Sequence, residues 1–163
     1  MPEKFDITLN INGRDYPVRA EARRTLVDDI RDDSGLTGTH IGCEHGVCGT
    51  CTVILDNDAV RSCLMFAVQA QGRKIRTVEG LGTPDELHPL QRAFIAHHGL
   101  QCGFCTPGFL MLAVNALERR PDIGDEELIE LLSSNLCRCT GYQNIIKAVR
   151  AGRDEMRAAE RAG

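Results

Sequence analysis

The chain has 163 residues and a mass of 17.9 kDa, enough for one ordinary domain or two small ones, and 42% hydrophobic side chains supply a core. Its 19 basic and 23 acidic side chains give a formal charge of −4 with both signs scattered, which argues against nucleic acid or an anionic membrane as a partner. No apolar run reaches the roughly 18 to 20 residues that span a bilayer, and Met1-Pro2-Glu3-Lys4-Phe5-Asp6 shows no apolar signal region, so the expected location is cytoplasmic. In that reducing compartment, eight cysteines speak for metal rather than for disulfides.

The first half reads as strands around one helix. Phe5 to Ile11 alternates apolar and polar residues, Asn12-Gly13 is a strong hairpin signal, and Tyr16-Pro17-Val18 begins the return strand. Thr25 reads as a helix N-cap ahead of Leu26, Val27 and Ile30, with Asp28 and Asp29 in the first turn and Gly35 as the stop. Thr52 to Leu55 is a short apolar strand, Asp56-Asn57-Asp58 a turn, and Lys74 to Val78 the last strand. The stretch Gly80-Leu81-Gly82-Thr83-Pro84-Asp85 reads as a linker, which divides the chain into units 1–79 and 80–163.

The second half changes period. Apolar stripes follow His88-Pro89, Thr106-Pro107, Asp125 and Gly141-Tyr142, and predict four helices in a small bundle. Arg153 to Gly163 predicts a frayed helical tail. The fold class is therefore α+β, strands on one helix followed by an all-α four-helix bundle. Units this small have marginal cores, and a metal centre in each would act as a staple.

The cysteines fall into two sets of four. Cys43, Cys48, Cys51 and Cys63 are separated by four, two and eleven residues, the spacing by which plant-type ferredoxins hold a 2Fe-2S cluster. Gly42, Gly46 and Gly49 in that loop let backbone N–H groups approach the sulfurs. The second set is Cys102-x2-Cys105 and, 31 residues on, Cys137-x-Cys139. Alone it suits either zinc or an iron-sulfur cluster. Thr106-Pro107 and Thr140-Gly141 follow its last members as capping residues, so two helix N-termini are expected to face one anionic centre and favour its reduced form.

Disulfides fit poorly, because Cys137-x-Cys139 cannot close comfortably on itself. A Rieske-type site fails because its second half would need a histidine where Cys51 stands, which leaves His45 a loop residue near the thiols. His40, His88, His97 and His98 read as surface or capping groups. No nucleophile elbow, phosphate loop or dinucleotide fingerprint is present, Glu44 reads as an exposed loop carboxylate, and no catalytic residue is assigned. With a cluster in each set the chain is a one-electron relay. A free two-cluster ferredoxin-like carrier and a zinc-stapled interaction module are the alternatives.

Gly42 to Val53, Ser62-Cys63-Leu64, Thr77 to Leu81, Gln101 to Gly108 and Cys137 to Tyr142 together resemble, in order, the small 2Fe-2S subunit of the xanthine oxidase family of molybdenum hydroxylases. The resemblance spans roughly residues 5 to 150. It implies an N-terminal β-grasp ferredoxin domain and a helical 2Fe-2S domain. Cys102, Cys105, Cys137 and Cys139 would hold the cluster proximal to molybdenum, and Cys43, Cys48, Cys51 and Cys63 the distal one. Gln101 and Cys139 would lie beside a molybdopterin, as its cytosine dinucleotide, in a large partner subunit, and FAD would sit in a medium subunit of the heterotrimer. Thr50 departs from the small Ala or Ser that is commoner at its position. Substrate choice would belong to the large subunit.

Overall fold

A computed structural model describes residues 3–162; Met1 and Pro2 of the N-terminal stretch, and Gly163 at the end of the expected tail, lie outside the described residues. Strand β1 (Lys4–Ile11) turns at Asn12-Gly13, both in the left-handed region, into β2 (Arg14–Glu21). This is the backbone that a two-residue hairpin with primed geometry needs. Along β1, Ile7, Leu9 and Ile11 point into the core.

Thr25 caps the next helix as its type predicts, accepting the Asp28 N–H at 3.4 Å. That helix, α1 (Leu26–Asp28), is a single turn and widens at once into a π turn over Asp29–Asp33 before Gly35 stops it. The rest of the sheet comprises β3 (Thr52–Leu55), β4 (Asp58–Arg61) and β5 (Lys74–Arg76). The strand order is β2-β1-β5-β3-β4, with β1 and β5 parallel and the other pairs antiparallel. Strand β4 was not distinguished in the sequence. The last strand is also shorter than expected, because the Asn12 side chain takes the Thr77 N–H and bonds its hydroxyl, both at 2.9 Å, and ends the ladder there.

Four helices follow: α2 (Pro89–Ala96), α3 (Thr106–Arg119), α4 (Asp125–Leu132) and α5 (Gln143–Ala162). Their core gathers Leu90, Phe94, Phe109, Met111, Val114, Leu128, Leu132, Ile145 and Val149. Helix α5 runs regularly to Ala162, where fraying was expected. Ion pairs from Arg153 to Asp125 and from Glu155 to Arg92 hold it to its neighbours. The expected linker is ordered, with Leu81 in the helical core and Thr83 and Glu86 exchanging two backbone bonds of 3.1 Å. Among the described residues no helix is long and apolar enough to cross a membrane.

Strand β3 joins the two halves. All four of its residues are buried, which alternation alone does not produce: Val53 and Leu55 enter the core between sheet and α1, while Ile54 enters the helical core on the opposite face. A strand covered on both sides reads as a continuous apolar run, as this one does. The backbones of the two halves meet between α3 and the turn before β3. A Cβ on Gly108 would lie 2.3 Å from the Gly49 carbonyl oxygen, so only glycine lets the two backbones meet.

Candidate iron-sulfur centres

The loop carrying the first thiols curls because Glu44, Gly46 and Gly49 all take positive φ. That curl turns several backbone N–H groups toward Cys43; the Cys48 N–H lies 3.3 Å from its Sγ. Burial raises the Cys43 pKa, but the N–H groups of Cys48, His45 and Val47 outweigh it and bring the thiol down to about 6. Cys51 opens onto β3, and Cys63 sits in a 3-10 turn after β4. Ser62 ties the two together by donating its hydroxyl to the Cys51 carbonyl at 2.6 Å. Burial first, and the neighbouring Cys51 second, push the Cys63 thiol up to about 12.

The second set forms where two helices begin. Cys102 and Cys105 lead into α3, and Cys137 and Cys139 lead into α5. The Cys102 and Cys139 sulfurs are 3.5 Å apart. Cys102 is lowered, chiefly by the Phe104 N–H, while its neighbour Cys139 is raised. Cys105 is pushed up to about 12 by burial and then by Cys137. Burial also raises Cys137, but the Thr140 hydroxyl, 3.2 Å away, and nearby backbone N–H groups leave it below the ordinary thiol value.

The capping expectation fails at both helices. Helix α5 begins only at Gln143, so Thr140 lies three residues before it and accepts, at 3.1 Å, the N–H of Tyr142, which precedes the helix, rather than one within it. Thr106 does not cap α3: Cys105 already has helical backbone and occupies the capping position, and Thr106 is the first helical residue. Its Oγ1 is buried without a protein partner, which leaves a free donor beside Cys105.

The eight cysteines are free thiols, placed pairwise as Cys43 with Cys48, Cys51 with Cys63, Cys102 with Cys139, and Cys105 with Cys137. With metal–sulfur bonds of about 2.3 Å, two sulfurs on one tetrahedral metal lie roughly 3.8 Å apart. The 3.5 Å pair is close to that separation. Among the described residues no three metal-ligating side chains close on one point. A 2Fe-2S cluster does not ask for that, because each iron takes two thiolates and completes its shell with bridging sulfide. Donors, spacing and the free Thr106 hydroxyl therefore fit such a cluster in each set.

The two sets are neighbours across the contact between the halves. Leu136, next to Cys137, donates its N–H to the Cys48 carbonyl at 2.9 Å. Arg61 reaches from β4 to Thr52 and to the Ser134 carbonyl, the latter at 3.0 Å. Cys51 and Cys63 are buried, whereas Gln101, Cys102 and Cys139 share an exposed edge beside the half-exposed Leu100 and Leu136. Val47 and Leu64 form a second exposed apolar rim at the first loop. His45 places Nδ1 against the Cys43 carbonyl, in keeping with a loop residue. His88 caps α2. Leu136 and Phe104 neighbour the thiols in sequence but give no sign there of their partners across the halves, and Arg61 is brought to the second set only by the packing of the halves.

A two-part protein with a four-thiol centre in each part is an iron-sulfur protein by class. Residues 9–77 match the 2Fe-2S iron-sulfur cluster binding domain, and residues 77–150 match a second 2Fe-2S binding domain. The chain is 56% identical over 147 residues to the nicotine 6-hydroxylase small subunit of Paenarthrobacter nicotinovorans, covering 90% of this chain and 88% of that one. It is 54% identical over 148 residues to the caffeine dehydrogenase subunit gamma of Pseudomonas sp. strain CBB1, covering 89% of each. The crystal structure of quinoline 2-oxidoreductase from Pseudomonas putida 86 matches with a TM-score of 0.89 and 47% identity, over 96% of this chain and 98% of that chain. The chain belongs to the small iron-sulfur subunits of the xanthine oxidase family of molybdenum hydroxylases.

Proposed function

We propose that this chain is the electron-transfer subunit of a heterotrimeric molybdenum hydroxylase located in the cytoplasm. It relays single electrons from a molybdopterin site in a large subunit to FAD in a medium subunit. In this reading residues 1–79 are a β-grasp ferredoxin domain and residues 80–163 a helical-bundle domain. The observation that carries it is the 2.9 Å bond from Leu136 N–H to the Cys48 carbonyl, which links the residue beside one thiolate set to a member of the other.

A 2Fe-2S cluster in each set supplies a one-electron acceptor that divides a two-electron oxidation into single steps. The chain's own residues do the rest. Cys43 with Cys48 and Cys51 with Cys63 would hold the distal cluster; Cys102 with Cys139 and Cys105 with Cys137 would hold the proximal one. The N–H groups around Cys43, the hydroxyls of Thr106 and Thr140 and the N-termini of α3 and α5 favour added negative charge. Burial of Cys51 and Cys63 keeps water from that side of the distal set, while Cys43 and Cys48 are half-buried. The exposed edge of Gln101, Cys102 and Cys139, with Leu100 and Leu136, suits the large subunit and the pterin. The rim of Val47 and Leu64 suits the flavin subunit.

Replacing Cys137 by serine in the assembled complex tests the route. Flavin reduction by substrate should fall while molybdenum is still reduced. Unimpaired flavin reduction with the proximal cluster absent contradicts it.

A further inference from the structure

Phe104 lies inside the Cys102-Gly103-Phe104-Cys105 loop, yet its carbonyl is held from the other half of the molecule. Thr50 Oγ1 donates to it at 2.8 Å, and His40 Nδ1 stands 2.8 Å from the same oxygen. A carbonyl has no proton to give, so His40 carries a proton on Nδ1 and the two donors fill both lone pairs. The His40 ring also stacks on the Phe104 ring, with centroids 4.9 Å apart and planes 23° from parallel. At its other end the Phe104 N–H is directed at the Cys102 sulfur. Thr50 is covalently next to Cys51 and is 3% exposed, although Phe104 itself is 49% exposed.

We infer that Thr50 and His40 are positioning residues for electron passage: by gripping the Phe104 carbonyl they build a second bridge between the thiolate sets, running Cys102, Phe104, Thr50, Cys51. The inference rests on the two-cluster reading above. The bridge is independent of the Leu136 to Cys48 bond, and it ends on different ligands at both sides. The bridge would connect a cluster that Cys102 would help to hold with one that Cys51 would help to hold, and a single electron crossing it would move no proton and break no bond. The grip has a second effect. By fixing the Phe104 backbone the two donors keep its N–H on the Cys102 sulfur, a contact that favours the reduced form of a cluster held there.

The stacked ring explains why a histidine serves here. Phenylalanine would keep the stack and lose the donor, while lysine would keep a donor and lose the stack. Thr50 likewise does what alanine cannot, because its hydroxyl is the donor to the Phe104 carbonyl.

The test uses the assembled complex with Thr50→Val, His40→Phe, the double variant and Thr50→Ser. The valine and phenylalanine changes preserve volume and stacking, and serine keeps the hydroxyl. Iron and sulfide content and the two EPR signals are recorded first, followed by a redox titration of each signal and the rate at which an electron passes between them after rapid reduction. The expected result is full cluster content, a lower midpoint potential for the proximal signal, and several-fold slower passage in Thr50→Val and His40→Phe. The loss should be greatest in the double variant and restored in Thr50→Ser. Unchanged potentials and rates in the double variant overturn the inference. Absence of two 2Fe-2S signals from the unsubstituted complex overturns the parent reading, and this one with it.

Discussion

The backbone N–H of Leu136 is hydrogen-bonded to the carbonyl of Cys48 at 2.9 Å, so the two thiolate sets, 89 residues apart in sequence at Cys48 and Cys137, are one hydrogen bond apart through the backbone. The bond exists because α3 seats its first turn on the turn before β3 and because Arg61 holds Ser134 from below. The contact between the halves is thus itself part of the site.

Gly108→Ala tests that seat. A Cβ there meets the Gly49 oxygen at 2.3 Å and the Thr50 Cα at 2.8 Å, both backbone atoms that cannot swing aside. Overpacking of this kind costs about 1–3 kcal/mol. A lowered denaturant midpoint is expected, together with a weaker magnetic interaction between the two clusters by EPR.

Arg61→Ala removes the guanidinium that joins Thr52 to Ser134. Hydrogen bonds from a charged donor are worth about 1.5–3 kcal/mol when well shielded; Arg61 is partly exposed, so a loss of about 1 kcal/mol is expected in urea unfolding. Lysine cannot reach both partners with one ammonium and should recover little of it.

Much of this was legible in the residues. The hairpin at Asn12-Gly13, the Thr25 cap and the four helical stripes each follow from a local rule, and the elements formed where those rules put them. The tight pairs Cys48-x2-Cys51, Cys102-x2-Cys105 and Cys137-x-Cys139 were legible for the same reason, whereas the joining of Cys102 to Cys139 across the 31-residue gap after Cys105 needs the fold. Three features were not. Strand β4 has no alternating apolar pattern, because it lies at the sheet edge with α3 over it. Thr106 looks like a cap, yet Cys105 enters the helix first. His40 looks like a surface histidine, because its partner Phe104 lies 64 residues away.

Tyr142→Phe removes the hydroxyl that accepts the Cys137 N–H at 3.0 Å while keeping the edge-on ring packing against Phe109. A partly buried donor left unmatched costs on the order of 1 kcal/mol. The proximal EPR signal should disappear faster than the distal one during incubation with an iron chelator, and at a higher rate than in the unsubstituted protein.

Asp29 sets a pH dependence remote from the thiols. Burial first, then the neighbouring Asp33 carboxylate, raises its carboxyl to about 6 against the pull of the Arg24 guanidinium. The folded chain therefore holds this proton more tightly than the unfolded chain, whose carboxyl titrates near 3.9. The stabilisation is complete below about pH 4 and is lost as pH rises through about 6. In Asp29→Asn that loss should vanish. Urea midpoints of the two proteins, compared at about pH 5 and about pH 7, check it, and the difference between them cancels any acid lability of the clusters.

The most direct measurement is the iron, acid-labile sulfide and zinc content of the natively purified complex, with low-temperature EPR after reduction. About four iron and four sulfide per chain with two distinct signals are predicted, one 2Fe-2S cluster for each thiolate set. Zinc without sulfide, or a single cluster signal at full iron occupancy, would contradict the account of this chain as a two-step electron relay.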